Sequence, residues 1–271
     1  MASIANKYTL FSPNLSDGLN SILEGVVPAY IWYHSLKGIT LRTATQVQRW
    51  RDQRQGIVLT NVAPAYPITM LGAYGGIPPT YGVISGVFGD KAVVQVGPVG
   101  GNWSGMGNAD INFLRQYFLP TSRPYMAAYY RYHEHASTIY RFSLMNTSGG
   151  SARMVSRGVN TGRENAFIAT SPSTTQQNTT TNTWADNEVS FVEFYRTATD
   201  TVVMKNRSSA VITMAGNNDF LSAIASLFFG CPHLPANGVA PTDLACFVLA
   251  NATPSSGVRD AIRDYMVAQF S

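Results

Sequence analysis

The stretch that most constrains the fold lies near the end of the chain, where an apolar run precedes a proline and a periodic segment. Residues 244–250 (LACFVLA) are nearly all non-polar, which is typical of a β-strand covered on both faces. Pro254 prevents a helix from extending back through it, and Ser255 or Ser256 can cap the helix that follows. The stretch therefore predicts a buried strand, a capped turn and a helix that ends near Phe270.

The predicted C-terminal helix is amphipathic. Its apolar residues recur at helical spacing and are Val258, Ala261, Ile262, Tyr265 and Met266. Its charged residues are expected on the opposite side and are Arg259, Asp260, Arg263 and Asp264. Because an apolar stripe needs a surface to cover, we expect this helix to lie against a sheet.

The rest of the chain has the aromatic and β-branched content of strands. The clearest strand is Pro124–Tyr132 (PYMAAYYRY), and residues 137–145 are its predicted hairpin partner. Three segments rich in Gly, Pro or polar residues are predicted loops: 64–89 (with a short strand at 81–87), 97–107 and 171–183.

With 271 residues and no internal repeat, the chain is predicted to be one all-β domain. We expect residues 31–271 to form the domain and residues 1–30 an N-terminal arm packed on it.

The charge content argues against a nucleic-acid partner. Charged residues make up only 13% of the chain, and the net charge is +4. The basic residues are scattered rather than clustered, so no basic patch is predicted. The polar surface must instead consist of Ser, Thr, Asn, Gln, Gly and Tyr, which is typical of durable, assembled or glycan-contacting proteins.

The sequence carries no signal for export or for a membrane. Its first residues lack a basic start followed by an apolar stretch, and no run approaches about 18 apolar residues. Cys231 and Cys246 are too few for a disulfide framework, and whether they pair stays open. Cys246, within the apolar run, is expected to be a small core side chain. We expect synthesis in a host cytoplasm without a signal peptide.

Three segments follow one another in an order that is informative. The first contains Trp50, Asp52 and Gly56 in a turn; the second runs from Trp184 through two paired strands to Asn206; the third runs from Leu227 to the C-terminal helix. In this order they resemble the concanavalin A-like (laminin-G-like) superfamily, of the kind found in phage and bacterial surface proteins. The resemblance implies a single-domain jelly-roll β-sandwich with a short C-terminal amphipathic helix.

Two segments depart from the pattern of that superfamily. Residues 247–250 (FVLA) stand where the closing strand usually carries an acidic residue and a tyrosine. Lys205-Asn206-Arg207 replaces the usual Asn-Gly turn. The ligand chemistry of the superfamily is therefore not carried over to these positions.

Carboxylates do not form the pair that a glycosidase on this fold requires. Such enzymes place an acid and a nucleophile on one strand face, two to four residues apart. Glu188 and Glu193 are five residues apart, so a regular strand directs them to opposite faces. The sequence thus gives no local signal for a catalytic pair. A polysaccharide-degrading enzyme, either a glycoside hydrolase or a lyase, is the alternative function rather than the favoured one.

Two clusters contain metal-ligand side chains. Tyr129, Arg131, His133 and His135 alternate along one strand and its end, so two histidines could share a face and bind a metal; a polar strand end is the competing interpretation. Asn108, Asp110 and Asn112 offer oxygen ligands that suit Ca²⁺; an Asx turn or a helix cap is the favoured interpretation of these residues. We expect no cofactor, with Ca²⁺ at these three residues as the alternative.

Aromatic side chains supply the remaining candidate site. Sugar rings stack on exposed aromatic faces, whereas most aromatics of a sandwich belong to its core. The candidates for glycan binding are Trp32, Trp103, Tyr129 and Tyr132. Among them, Trp103 lies in the glycine-dense segment 97–107 and is the hardest to assign to a core.

The sequence and the resemblance together favour a non-enzymatic virion structural or binding protein, such as a head-decoration or tail-fibre protein. It is expected to use a lectin-like sandwich to contact a neighbouring subunit or a surface glycan. Other virion proteins are the expected partners, and a homo-oligomer, with a trimer as the first candidate, is the expected state. An architectural capsid protein without a ligand is the second alternative.

Overall fold

Two antiparallel sheets lie face to face in the computed structural model, and two helices cover part of the outer face of one sheet. The structure describes residues 9–10, 18–54, 58–60, 78–99, 102–108, 123–133, 139–146, 152–159, 163–169, 175–179, 185, 187–207, 210–215, 224–229 and 242–271. The described part of the chain is thus an all-β sandwich with a short C-terminal helix, which confirms the predicted fold class.

The first sheet contains ten described strands. In spatial order they are β1 (Thr9–Leu10), β3 (Ile39–Leu41), β4 (Val47–Arg51), β5 (Val58–Thr60), β9 (Met106–Asn108), β18 (Ile224–Phe229), β11 (Ile139–Asn146), β12 (Ala152–Val159), β13 (Arg163–Ala169) and β14 (Thr175–Thr179). Strands β9 and β18 are neighbours although they are distant in the sequence. Between them the chain contributes four described strands to the second sheet and β11–β14 to the first, so it passes repeatedly from one sheet to the other.

The second sheet contains nine described strands. In spatial order they are β17 (Ala210–Ala215), β16 (Asp200–Lys205), β15 (Val189–Arg196), β10 (Tyr125–Tyr132), β19 (Thr242–Ala250), β7 (Ala92–Val99) and β6 (Thr80–Val83). In addition, β2 (Tyr30–His34) pairs with β19, and β8 (Asn102–Ser104) pairs with β7. One edge of β19 is therefore shared by β7 at its start and β2 at its end.

Strand β19 is the centre of the second sheet, and all nine of its residues are buried. Leu244, Phe247 and Leu249 face the core between the sheets, where Phe247 packs edge-on against Phe229 of the first sheet. Ala245 and Val248 face the outer side, under the helices. The prediction that this apolar run is covered on both faces is confirmed.

Helices α1 (Gly18–Leu23) and α2 (Ser256–Ala268) cover part of the outer face of the second sheet. Ser255 caps α2, because its hydroxyl accepts a hydrogen bond from the backbone N–H of Val258. The two helices approach closely at Gly18, where a Cβ atom would lie only 2.4 Å from the ring of Tyr265. This contact requires glycine at position 18.

The turn around Asp52 follows strand β4 and is hydrogen-bonded to strand β2. Trp50 is fully buried, and its indole N–H donates to the carbonyl oxygen of His34 at 3.0 Å. The Asp52 carboxylate accepts from the backbone N–H groups of Trp32 at 2.7 Å and Arg54 at 3.2 Å. These contacts confirm the predicted turn at Asp52.

The structure corrects the predicted partner of β10. Strand β10 pairs with β15 and β19, whereas β11 pairs with β12 and β18 in the other sheet. The chain crosses between the sheets after residue 133 instead of turning back in a hairpin. Local alternation predicts that a segment is a strand, but it does not identify the strand's neighbours.

Three other local predictions were wrong. Arg259 is buried rather than exposed on α2, because its guanidinium pairs with a buried carboxylate of the sheet. The segments predicted as loops at 97–107 and 171–183 contain strands β8, β9 and β14, since backbone pairing tolerates glycine and polar residues there. Helix α1 was missed because it is only six residues long, too short for a clear helical period.

Among the described residues, no helix is long and apolar enough to cross a membrane. The Cys246 thiol is free and fully buried, which confirms its predicted place in the core. Cys231 lies outside the described residues.

Candidate functional site

A row of polar side chains crosses the outer face of the second sheet, beyond the part that the helices cover. The strand registers place Thr80 opposite Gln95, Gln95 opposite Asp243, and Asp243 opposite Arg131. These residues belong to β6, β7, β19 and β10, four neighbouring strands. His133 follows β10 and lies on the same side as Arg131, because side chains alternate along a strand.

A β-bulge directs Asp243 to this outer face. The register between β10 and β19 shifts between Tyr129 and Tyr130, which face Cys246 and Leu244 and leave Ala245 as the extra residue. Ala245 and Cys246 therefore both lie on the outer side. Bulges commonly re-aim side chains beside functional sites, and this bulge keeps Asp243 and Arg131 on one face.

Asp243 is the centre of a hydrogen-bonded cluster. Its Oδ2 atom lies 2.7 Å from Nε of Arg131 and 2.8 Å from Nε2 of His133. Its Oδ1 atom accepts a hydrogen bond from Nε2 of Gln95 at 3.2 Å, and Oε1 of Gln95 accepts from the hydroxyl of Thr80 at 2.9 Å. We call Arg131, His133, Asp243, Gln95 and Thr80 the Asp243 cluster.

Exposure differs sharply within the Asp243 cluster. Asp243 is 1% exposed, whereas the side chains of Arg131 and His133 are 12% and 34% exposed. A buried carboxylate requires partners that compensate its charge, and the cationic Arg131 supplies that compensation here. The buried aspartate thus holds Arg131 and His133 in position at the surface.

Tyr129 borders the cluster on the side of the helices. It is half-buried, with its ring edge-on to Phe88 at 5.6 Å and tilted against Phe270 at 6.2 Å between centroids. Burial raises the pKa of its hydroxyl, so this group stays protonated at neutral pH. Tyr129 and Arg131 are two residues apart on one strand face, which brings an aromatic ring beside the cluster.

The structure separates the other predicted glycan-binding aromatics. Trp32 is 1% exposed, its indole N–H donates to Oδ1 of Asn20 at 2.9 Å, and its ring packs edge-on against Tyr265 of α2. In this position Trp32 is a core residue with no face open to a sugar. Trp103 lies on β8 and Tyr132 on β10, opposite Thr242; their side chains are outside the described set.

The predicted metal ligands are described only in part. Asn108 lies on β9 opposite Leu227, while Asp110, Asn112 and His135 lie outside the described residues. His133 uses its Nε2 atom toward Asp243 rather than toward a second histidine. Within the described ranges, no group of three His, Cys, Asp or Glu side chains could hold a metal ion.

Sequence reasoning identified one side of the cluster and missed the other. The alternation of Tyr129, Arg131 and His133 on one face was predicted, and the structure brings Arg131 and His133 to the same carboxylate. Asp243 and Gln95 were missed. The available signal was a single carboxylate at the start of a buried apolar strand, which requires a partner on a neighbouring strand.

A second buried carboxylate lies beneath α2. Glu193 of β15 is fully buried and contacts the guanidinium groups of Arg207 and Arg259. Glu188, which was predicted not to form a catalytic pair with Glu193, contacts Lys205. Glu193 is enclosed between the sheet and the helix, which suits a role in joining these elements.

No family model and no curated protein matches this sequence. Solved structures match at low identity. An arabinofuranosidase complexed with arabinofuranosyl-α-1,2-xylobiose is 13% identical with a TM-score of 0.59, over 89% of this chain and 59% of that chain. A structure titled for botulinum neurotoxin type C and its interaction with two ganglioside molecules is 8% identical with a TM-score of 0.52, over 83% and 51%.

A Trypanosoma rangeli sialidase mutant with trans-sialidase activity is 11% identical with a TM-score of 0.50, over 88% of this chain and 33% of that chain. This chain thus spans one third to three fifths of the length of these three neighbours. At such identities the matches show a shared β-sandwich fold. They support the lectin-like and glycosidase-like sandwich only at that coarse level.

Proposed function

We propose that this protein is a non-enzymatic glycan-binding β-sandwich that uses the outer face of its second sheet around the Asp243 cluster. The observation that carries the proposal is the buried Asp243 carboxylate holding Arg131 and His133 at the surface, beside the half-buried ring of Tyr129. The Asp243 cluster differs in this respect from the buried Glu193, whose arginine partners are 10% exposed, because its His133 side chain is 34% exposed.

The chemistry of this patch suits a sugar. Sugar rings present hydroxyl groups that need hydrogen-bonding partners and C–H faces that pack on aromatic rings. Arg131 and His133 supply N–H groups, and Tyr129 supplies a ring on the same face. Because Asp243 fixes the two polar side chains, little conformational entropy would be lost on binding.

The fold likeness supports the proposal in a general way. One neighbour is a neurotoxin that interacts with gangliosides and another is an arabinofuranosidase with an arabinofuranosyl ligand, so sandwiches of this shape occur in proteins that handle carbohydrates. The same neighbours support the alternative of a polysaccharide-degrading enzyme. Among the described residues, Glu193 and Asp243 are both buried with arginine partners, an arrangement that favours binding over hydrolysis.

We further propose that the protein acts in a virion, as a head-decoration or tail-fibre component. Support comes from the low charge content and from the resemblance of its ordered motifs to phage surface modules. Other virion proteins and further copies of the chain are the proposed partners.

Light scattering should give the mass of an oligomer, and imaging of the assembled particle should place it on a capsid or tail. A lone monomer absent from the particle would contradict this part of the proposal.

A glycan array tests the binding function directly. The wild-type protein should retain a defined set of glycans, and His133→Ala should weaken that binding while leaving the protein folded, because the His133 side chain reaches the surface and is more exposed than that of Arg131. Arg263→Gln is the matched control, since Arg263 is a similarly exposed basic residue on α2. Retention of no glycan would refute the proposal.

The same glycans also test the enzymatic alternative. After incubation with the protein, the products should show no new reducing ends and no unsaturated sugars. Cleavage that survives His133→Ala would place an active site elsewhere and replace the binding function with a hydrolase or lyase.

A further inference from the structure

We infer that the Asp243 cluster selects acidic sugars, meaning uronic or sialic acids that carry a carboxylate. The inference rests on the proposed glycan-binding function and specifies its ligand class. It starts from the groups of Arg131 and His133 that the Asp243 carboxylate leaves unused.

Arg131 uses only one of its five N–H donors within the described residues. Its Nε atom donates to Oδ2 of Asp243, and no other described group bonds to its guanidinium. Within the described part of the chain, the four N–H groups on Nη1 and Nη2 therefore remain for a ligand. A guanidinium edge matches the two oxygens of a carboxylate, and such paired charge-assisted bonds are stronger than bonds to neutral hydroxyls.

His133 contributes in the same way. Its Nε2 atom faces Asp243, and within the described residues its Nδ1 atom has no partner. The imidazole is more exposed than Arg131, so it lies at the entrance of the cluster. The Nδ1 atom can donate to an acidic ligand whenever the ring is protonated.

The oxygen atoms of the Asp243 carboxylate are already engaged, so they are not free to accept hydrogen bonds from the hydroxyl groups of a neutral sugar. Its Oδ2 atom faces Arg131 and His133, and its Oδ1 atom accepts from Gln95. Gln95 uses its own carbonyl oxygen for Thr80. With the His133 ring protonated, the cluster therefore presents N–H donors of Arg131 and His133 while the Asp243 oxygens are engaged, and unpaired donors favour a ligand that only accepts.

Other charged side chains lie around this face of the sheet and have contacts of their own. Val189 lies opposite Arg131 on β15, and the adjacent Glu188 is paired with Lys205. On the helix side, Lys91 donates to the carbonyl oxygen of Ser271. Glu188 is thus neutralised by Lys205, and Asp90, before β7, accepts from the Gly86 N–H. Asp243 remains the carboxylate that directly faces Arg131 and His133, and the net charge of +4 also favours an anionic sugar.

The test compares an acidic oligosaccharide with its neutral form. Trigalacturonic acid and its methyl ester share one ring skeleton, and sialyllactose and its methyl ester form a second pair. By calorimetry, at least one acid should bind about tenfold or more tightly than its neutral partner, as loss of a charge-assisted bond costs about 1.5–3 kcal/mol. In ¹H–¹⁵N spectra, the Arg131 Nε resonance should shift with the acid alone.

Two variants locate the effect. Arg131→Lys keeps the positive charge beside Asp243 but loses the planar fork, so affinity for the acid should fall about tenfold while any affinity for the neutral form changes little. Arg263→Gln, which removes one exposed positive charge on α2, should change neither. His133→Gln provides a second probe if Arg131→Lys does not fold, and it should also weaken acid binding.

The outcomes separate this inference from the proposed function. Equal affinities for acid and neutral forms, or an acid affinity unchanged in Arg131→Lys and His133→Gln, would overturn the acidic-sugar inference while glycan binding stood. If neither probe pair bound but the array retained neutral glycans, the inference would again be wrong. If no glycan were retained at all, both would fail.

Discussion

Nη1 of Arg259 on helix α2 lies 3.1 Å from Oε1 of Glu193 on strand β15. The Glu193 side chain is fully buried, and the Cζ atom of Arg259 lies 3.8 Å from the centre of the Tyr195 ring. Arg207 contacts the same carboxylate from the turn that follows β16. The C-terminal helix is therefore joined to the sheet by a buried ionic cluster as well as by apolar packing.

Glu193→Gln should destabilise the protein by about 3 kcal/mol, because it leaves the buried Arg259 guanidinium without a compensating charge and removes one of the two anionic partners of Arg207. Urea unfolding measures the change. The matched control is Asp264→Asn, which alters an exposed carboxylate paired with Arg263 and should cost less than about 0.5 kcal/mol. Equal stability of the two variants would show that the buried cluster contributes nothing specific.

Arg207→Gly should lower stability although it relieves backbone strain. Arg207 has a φ of 57°, and glycine at such a position gains about 1 kcal/mol. The substitution also removes the contacts of Arg207 with Glu193 and Asp260, and the loss of a partner from the buried Glu193 outweighs the gain. The sign of the change in thermal unfolding decides: a more stable Arg207→Gly would mean that the strain exceeds the ion pairs.

His34 should make the fold sensitive to acid. Burial, followed by the charges of Lys37 and Lys91, lowers the pKa of His34 to about 3, and its ring stacks on Phe270 at 5.1 Å. Below the ordinary value of about 6.5 the unfolded chain binds a proton that the folded chain refuses. The His34 contribution to stability is therefore complete above about pH 6.5 and falls as the pH drops toward 3.

The variant His34→Gln isolates this contribution. Glutamine does not titrate and can still accept the hydrogen bond from the Leu36 N–H that His34 Nδ1 accepts. Between pH 6.5 and 3 the wild type should lose stability relative to the variant by at most about 1.4 kcal/mol per pH unit. Parallel pH profiles of the two proteins, from unfolding at several pH values, would contradict the buried neutral state of His34.

The Cys246 thiol should be inert in the folded protein. Burial raises its pKa well above the ordinary value, and the thiolate is the reactive form. In a Cys231→Ser background, a thiol-reactive dye should label Cys246 only at the rate of unfolding, and urea should accelerate the labelling. Rapid labelling in buffer alone would show that the helices do not protect the outer face of β19.

Much of the fold could be predicted because its signals are local. The apolar run 244–250 predicts strand β19, Pro254 and Ser255 predict the start of α2, and aromatic alternation predicts β10. Each of these patterns depends on residues within one element, so the sequence by itself determines the all-β class and the closing strand and helix.

The candidate site was predictable only on one strand. Alternation placed Arg131 and His133 on one face, but their partner Asp243 is more than 100 residues away in the sequence, and a bulge at Ala245 directs its carboxylate toward them. Trp32 is the opposite case. Its aromatic side chain suggested a glycan-binding surface, but Tyr265 of helix α2 packs against its ring. Burial by a distant element leaves no trace in the local pattern.

The choice of neighbouring strands depends on the tertiary structure. The sequence predicted strands at 124–132 and 137–145, and the corresponding strands β10 and β11 lie in different sheets. The physical reason is that strand pairing uses backbone hydrogen bonds, which every residue except proline offers alike, so the choice of partner depends on the packing of the whole core. Arg131 and Asp243, like Arg259 and Glu193, meet because that packing brings their strands and helix together.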